Sequence, residues 1–179
     1  MDPVHAASDD PATRAALTGY QAGAIRWLGS GLIAVVLGVL AAAAAVAIAE
    51  ESGRRVPGAG LLVVVLVAAG SAAAVAGAGS LVRARRWTRA LRTQTWTRGF
   101  LRIAGPAVLS FEPEGYDELD PDDEPVRLRL MSTAVWRTRA VQQLDGGEIR
   151  AAAVGPREWV LAADGAETLY GAREVRRRA

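Results

Sequence analysis

The chain lacks several of the residue types on which protein chemistry often depends. It has no cysteine, no lysine and no asparagine, and its single histidine is His5. Without cysteine, disulfides, thiol catalysis and cysteine metal sites are all excluded. Apart from Ser8, which lies three residues from His5, no serine has a histidine or lysine nearby in the sequence, which argues against the usual nucleophilic arrangements. We therefore expect the protein not to be an enzyme and to carry no cofactor.

Charged side chains are missing from two long stretches, residues 27–49 and 61–82. An α-helix rises about 1.5 Å per residue, so each stretch is long enough to cross a hydrocarbon core of about 30 Å. Only the short segment 50–60 separates them, and residues 50–58 of it form the predicted loop. The sequence thus predicts a transmembrane helical hairpin over residues 26–82, preceded by a disordered arm over residues 1–25.

The arginines predict an orientation for this hairpin. All 21 basic residues are arginine; seven of them lie between positions 83 and 102, whereas the loop between the helices carries only Arg54 and Arg55. Arginines close to helix ends favour the cytoplasmic side of a membrane. We expect a protein of the inner (plasma) membrane with both termini in the cytoplasm.

Small residues recur at intervals of four along the second apolar stretch. They form two ridges: Ala69, Ala73 and Gly77 on one, Gly70, Ala74 and Ala78 on the other. Such ridges let helix backbones approach closely. Two interpretations stay open: a docking face for a membrane-protein partner or a second copy, or packing of the hairpin on itself. The only polar side chains in the two stretches are three serines, so a self-contained transporter is not expected.

Residues 83–104 combine arginine with tryptophan and contain no proline. We expect the second helix to continue to about Thr97 as a juxtamembrane stalk. The side chains expected to contact anionic lipid headgroups are Arg83, Arg85, Arg86, Arg89, Arg92, Trp87 and Trp96. Arginine with aromatic residues also occurs in nucleic-acid binding. Beside a membrane helix lipid contact is the simpler interpretation, so no nucleic-acid partner is expected.

From residue 105 to residue 179 the pattern changes to alternation. Residues 126–130 alternate apolar and charged side chains, and shorter apolar runs follow at 149–154, 159–163 and 168–170. The pattern predicts a small cytoplasmic antiparallel β domain, either an SH3/OB-like barrel or a half-open sandwich, and with the hairpin an α+β fold class. The segment 132–144 fits either a helix or a strand. The predicted core is Leu109, Phe111, Leu128, Leu130, Ile149, Val154, Trp159, Leu161 and Leu169.

Acidic residues concentrate in the segment 112–125, which holds eight carboxylates and two internal prolines besides Pro125. Calcium loops of the EF-hand type space their ligands around a central glycine and close with a glutamate. The run from Asp120 to Glu124 lacks that spacing. We expect an exposed loop and no metal site, with divalent binding as the alternative.

The motif Leu91-Arg92-Thr93-Gln94-Thr95-Trp96 and the stretch from Ala153 to Leu161 complete this layout. The chain resembles two-helix membrane proteins of high-GC actinobacteria that carry a small C-terminal β domain. The resemblance covers most of the chain and implies the same layout. It implies no activity, substrate or site residue.

These observations favour a non-catalytic membrane protein that presents its β domain at the bilayer surface as an adaptor or assembly module. The first alternative is an accessory subunit of a transporter or another membrane complex, with the small-residue ridges as its docking face. A membrane-tethered enzyme is the third hypothesis.

Overall fold

A computed structural model describes residues 6–53, 57–105, 108–117, 119–120, 123–131, 144–163 and 168–175. After a short 3-10 turn, Ala7–Asp9, come two long helices, α1 (Pro11–Ser52) and α2 (Ala59–Leu91). Six strands follow: β1 (Thr97–Gly105), β2 (Val108–Pro113), β3 (Val126–Leu130), β4 (Glu148–Ala153), β5 (Glu158–Ala163) and β6 (Leu169–Glu174). Nearly all of the ambiguous segment 132–144 lies outside the described residues.

The six strands form a closed antiparallel barrel in the order β1-β2-β3-β6-β5-β4, with β4 pairing back to β1. The predicted α+β layout with a small barrel is therefore confirmed. Closure also decides against the half-open sandwich. A closed sheet leaves no unpaired edge along which other chains could add.

The interior of the barrel follows the alternation read from the sequence. Leu109, Phe111, Leu128, Leu130, Ile149 and Leu161 from the predicted core are buried there. Trp159 packs against them from a half-buried position, with its ring centroid 6.4 Å from that of Phe111. Val154 is only half-buried and lies beyond the end of β4. The core residues that the sequence prediction missed are Leu101, Ala151, Ala163, Tyr170 and Ala172.

A second buried layer covers the outside of strands β4 to β6. Ala152, Val160, Ala162 and Leu169 are buried although they alternate with the residues that point into the barrel. Leu169, expected inside, belongs to this outer layer. Residues up to Thr18 and from Arg85 onward form one compact unit. In this unit the first turns of α1 bury Ala16 and Leu17, and the last turns of α2 bury Trp87 and Leu91.

Trp87 shows how closely the end of α2 approaches the sheet. Its side chain is 2% exposed, and a Cβ placed on Gly171 in β6 would lie 2.7 Å from its Cζ2 atom. That is well inside van der Waals contact, so only glycine leaves room for the indole ring at this position.

Two predicted segment boundaries are wrong. The arm over residues 1–25 is not disordered from residue 6 onward, because α1 already begins at Pro11. Asp10 and Pro11 give the reason: aspartate is a preferred N-cap and proline is preferred in the first helical turn. The stalk does not stay helical to Thr97, since α2 ends at Leu91 and the barrel begins with β1 at Thr97, before the predicted residue 105.

The second compact unit, residues 19–84, is the hairpin itself. A Cβ on Gly70 would lie 2.7 Å from the carbonyl oxygen of Gly31, and one on Gly77 would lie 2.5 Å from the backbone nitrogen of Leu28. Ala74 belongs to the same face, since a Cβ on Gly31 would lie 2.5 Å from its nitrogen. Ala73 is half-buried and Ala69 exposed. This packing favours the interpretation in which the hairpin packs on itself.

Replacing Trp87 with alanine should destabilise the barrel by about 3–5 kcal/mol, because it removes a large buried side chain and leaves a cavity. Phe100→Ala is the matched control, since Phe100 is 51% exposed on the barrel surface. Chemical unfolding followed by near-UV circular dichroism measures both. Equal losses of stability in the two variants would contradict the packing of Trp87.

Gly77→Leu should destabilise the hairpin by about 1–3 kcal/mol, because the new side chain meets the α1 backbone. The control is Gly79→Leu in the same helix, where an added Cβ has nothing within 4 Å. Thermal unfolding in a mild detergent, followed by far-UV circular dichroism, compares the two. A hairpin packed as described loses stability only in the first variant.

Candidate anion-binding groove

A groove of about 760 Å³ lies on the barrel unit beside the last turns of α2. This volume falls in the range typical of small-ligand sites, about 300–1,000 Å³. Four arginines and one glutamate give its lining a net charge of +3. The lining residues are Arg86, Arg89, Ala90, Thr93, Val154, Gly155, Pro156, Arg157, Glu158 and Arg173.

The barrel supplies two of the four arginines, and both are held by contacts. Arg157 donates from Nη2 to the carbonyl oxygen of Glu174 at 2.9 Å. Nη2 of Arg173 lies 3.5 Å from Oε1 of Glu158, in a pair whose arginine side chain is 59% exposed. Exposed pairs of this kind contribute at most about 1 kcal/mol. Within the described residues, most of the guanidinium donors of Arg157 and Arg173 therefore stay available to a ligand.

The helix α2 supplies the other two arginines, Arg86 and Arg89, three residues apart. Residues at this spacing lie on the same face of a helix. Both side chains are exposed, and among the described residues neither forms a hydrogen bond or an ion pair. They add positive charge that no nearby acid within the described structure compensates.

A turn between β4 and β5 forms one wall of the groove. The Val154 N–H donates to the carbonyl oxygen of Glu158 at 2.8 Å. The Glu158 N–H donates to the carbonyl oxygen of Gly155 at 3.4 Å. The N–H of Glu174 also donates to the Arg157 carbonyl at 2.9 Å. These bonds tie the turn to itself and to β6, so Arg157 projects from a constrained backbone.

The C-terminal end of α2 would by itself oppose an anion, because its last carbonyls carry partial negative charge. The Ala90 carbonyl accepts three bonds, from the N–H groups of Thr93 and Gln94 and from the Thr93 hydroxyl, each at 3.0 Å. These donors offset much of the negative charge at this end of the helix. The arginines therefore dominate the electrostatics of the groove.

A separate polar cluster joins the start of α1 to the barrel. Arg150 in β4 donates from Nη1 to Oδ2 of Asp10 at 2.8 Å, and its guanidinium lies 5.7 Å from the ring centroid of Trp96. The Thr13 hydroxyl donates to Asp10 at 3.0 Å and accepts from Nε1 of Trp96 at 3.2 Å. The buried Thr13 hydroxyl is thus fully satisfied, and the cluster has a structural role.

The pKa of Asp10 reflects this environment. Burial would raise it, but hydrogen bonds from Thr13, the Ala12 N–H and Arg150, with the positive charge of Arg150, lower the pKa below its ordinary value of 3.8. The charged carboxylate is therefore the form that the folded protein favours.

The structure places the residues expected to contact lipid headgroups in several different environments. Arg86 and Arg89 line the groove, Arg85 is exposed elsewhere on α2, Arg92 is exposed just after the end of α2, and Arg83 is half-buried. The position expected for Trp87 is wrong, because its ring is buried against the sheet. Trp96 is half-buried in the Asp10 cluster. Headgroup contact by the exposed arginines stays a prediction.

Sequence reasoning did not find the barrel half of the groove. Arg157 and Arg173 lie far from the stalk in the sequence and reach the groove only because β5 and β6 pair. Gly155 and Pro156 fall between two of the predicted apolar runs, 149–154 and 159–163, but nothing in the sequence indicates that they lie beside α2. The Arg150–Asp10 contact spans 140 residues and gives no local signal either.

Comparisons with protein-family models, with curated proteins and with solved structures find no match to this chain. The groove and the fold around it are therefore interpreted from their own chemistry.

Asp10→Asn should destabilise the barrel unit near neutral pH, because the charged carboxylate is the form that Thr13 and Arg150 stabilise. A lowered pKa contributes stability above the unfolded value of about 3.9 and loses it as the pH falls through the folded value. The difference between wild type and variant should be constant from about pH 5 to pH 8 and shrink below about pH 4. Urea unfolding across this range measures it; a difference that grows toward low pH would contradict the assignment.

Proposed function

We propose that this chain is an integral membrane protein whose helical hairpin holds the β-barrel at the cytoplasmic surface of the plasma membrane as an adaptor or assembly module. The barrel then presents its arginine groove to other molecules at that surface. Both termini lie in the cytoplasm in this proposal, and the short segment between the helices lies outside.

The exposure of the helices is the observation that carries the proposal. Each helix contains an apolar window with only 6% of its residues buried, at a mean hydropathy of 2.8 in α1 and 2.4 in α2. A core helix in a water-soluble protein would be mostly buried instead. Large apolar side chains such as Trp27 and Val75 are 62% and 73% exposed. Apolar surface on this scale is typical of contact with a membrane or with another protein.

Continuity of α2 supports the adaptor role. The helix that carries the apolar stretch 61–82 runs without a break to Leu91 and contributes Trp87 and Leu91 to the packing on the barrel. No linker therefore intervenes between the apolar stretch and the residues that hold the barrel. The arginines that follow Val82 in the same helix favour the cytoplasmic side.

Val39→Asp and Val75→Asp test the membrane location. Both residues are highly exposed, at 59% and 73%. In a membrane each aspartate near a helix centre costs about 2.5–3.5 kcal/mol, so we expect less protein in membranes after an alkaline wash. In a water-exposed helix the same changes would be harmless.

The matched controls are Val39→Leu and Val75→Leu, which keep the positions apolar and should remain in the washed membranes. A fluorescent reporter that matures only in the cytoplasm, fused after Ala179, tests the orientation. Wild type released by the alkaline wash, or aspartate variants retained as fully as the leucine variants, would contradict the proposed location. A dark reporter on a membrane-bound chain would contradict the orientation alone.

A further inference from the structure

We propose that the groove between the end of α2 and the β4–β5 turn is a binding site for a phosphate group, carried by an anionic phospholipid headgroup or by a soluble phosphate compound. The proposal joins two pairs of arginines that lie far apart in the sequence: Arg86 and Arg89 from the helix, Arg157 and Arg173 from the barrel.

Charge selects an anion for this site. The described lining residues carry a net charge of +3, and the acid among them, Glu158, is paired with Arg173 at 3.5 Å. Like charges held close together repel, so four arginines around one groove are costly unless an anion neutralises them. An anionic ligand would therefore meet little competition from acids in the described part of the protein.

Arginine chemistry narrows the class of anion. A guanidinium offers five N–H donors in a planar fork that matches the oxygens of a phosphate, and two such forks can hold one group from different sides. Phosphate carries more negative charge and more acceptor oxygens than a single carboxylate. With Arg157 fixed by its bond to Glu174 and by the bonded turn, part of the site is pre-organised.

The position of the groove in the chain makes a lipid headgroup one natural source. Arg86 follows Val82, the last residue of the apolar stretch, by about one helical turn. Binding of a headgroup rests on the proposed membrane location, whereas binding of a soluble phosphate does not. The two sources can be separated by experiment.

The experiment uses the full chain purified in an uncharged maltoside detergent and isothermal titration calorimetry. The probes are inorganic phosphate and the short-chain lipid dihexanoyl phosphatidic acid. The test variant is Arg157→Gln with Arg173→Gln, and the matched control is Arg127→Gln with Arg129→Gln, a pair of exposed arginines on β3. Neither control residue lines the groove, although Arg129 pairs with Arg173 across the strands.

The test variant should weaken binding at least about tenfold, because each lost charge-assisted bond is worth about 1.5–3 kcal/mol. The control pair should change the dissociation constant by less than about threefold, by long-range charge only. Binding of both probes would identify the phosphate group itself as sufficient. Binding of the lipid alone would identify the headgroup as the source.

Glu158→Gln provides a second test, which does not depend on removing a side chain expected to contact the ligand. Removing the acid that competes for Arg173 should tighten binding by about twofold to fivefold. Three results would overturn the proposal. The first is no heat of binding with either probe, and the second is equal weakening of binding in the test and control variants. The third is a dissociation constant that changes neither in Glu158→Gln nor in the test variant. A chain that the alkaline wash releases but that still binds phosphate would contradict the membrane location and leave the groove assignment intact.

Discussion

The contact between Trp87 and Gly171 determines how the end of α2 packs against the barrel. The choice of glycine in β6 and the position of the groove arginines depend on this packing. Because the indole ring lies on the strand, β6 must carry glycine there, and the neighbouring outward positions Ala152 and Ala162 are small as well. Trp87 and Leu91 then form the buried stripe of the last helical turns. Arg89, between them in the sequence, and Arg86, just before Trp87, are exposed and line the groove.

The start of α1 is held to the same barrel by a different kind of interaction. Asp10 serves both as the N-cap of the helix, accepting from the Ala12 N–H at 3.1 Å, and as the partner of Arg150. One carboxylate thus satisfies local backbone donors and a distant guanidinium. A backbone bond from the Ala7 N–H to the Gln94 carbonyl at 2.8 Å adds a second attachment. The barrel is therefore contacted by residues at both the beginning and the end of the helical region.

The parts of the fold with a clear hydrophobic pattern could be predicted from the sequence. The two charge-free stretches and the alternation at residues 126–130 appear in the structure as apolar helices and a strand. The strand β1 was missed because its alternation follows directly on the arginine-rich helix. Yet Leu101 and Ile103 point inward while Arg98 and Arg102 point out, and the threonines at 93, 95 and 97 disfavour a helix. The buried stripe of Trp87 and Leu91 was likewise hidden by the arginines around it.

Only the helical half of the candidate groove could be predicted from the sequence. Its helical arginines stand out in the sequence as a basic cluster, but Arg157 and Arg173 join them through strand pairing and a buried helix end, which are non-local. The small residues of α2 were also predicted only in part. Their spacing indicated close packing, and the structure shows that Gly70 and Ala74 from one predicted ridge and Gly77 from the other all approach α1.

The proposal with most consequences is that the hairpin lies in lipid while the barrel lies in water. Spin labels on single cysteines at Val75 and Phe100, introduced into a chain with no native cysteine, test it most directly in reconstituted membranes. Both side chains are exposed on their own units. We expect oxygen, which concentrates in lipid, to relax the label at Val75, and a water-soluble nickel complex to relax the label at Phe100. Equal access of the nickel complex to both labels would contradict it.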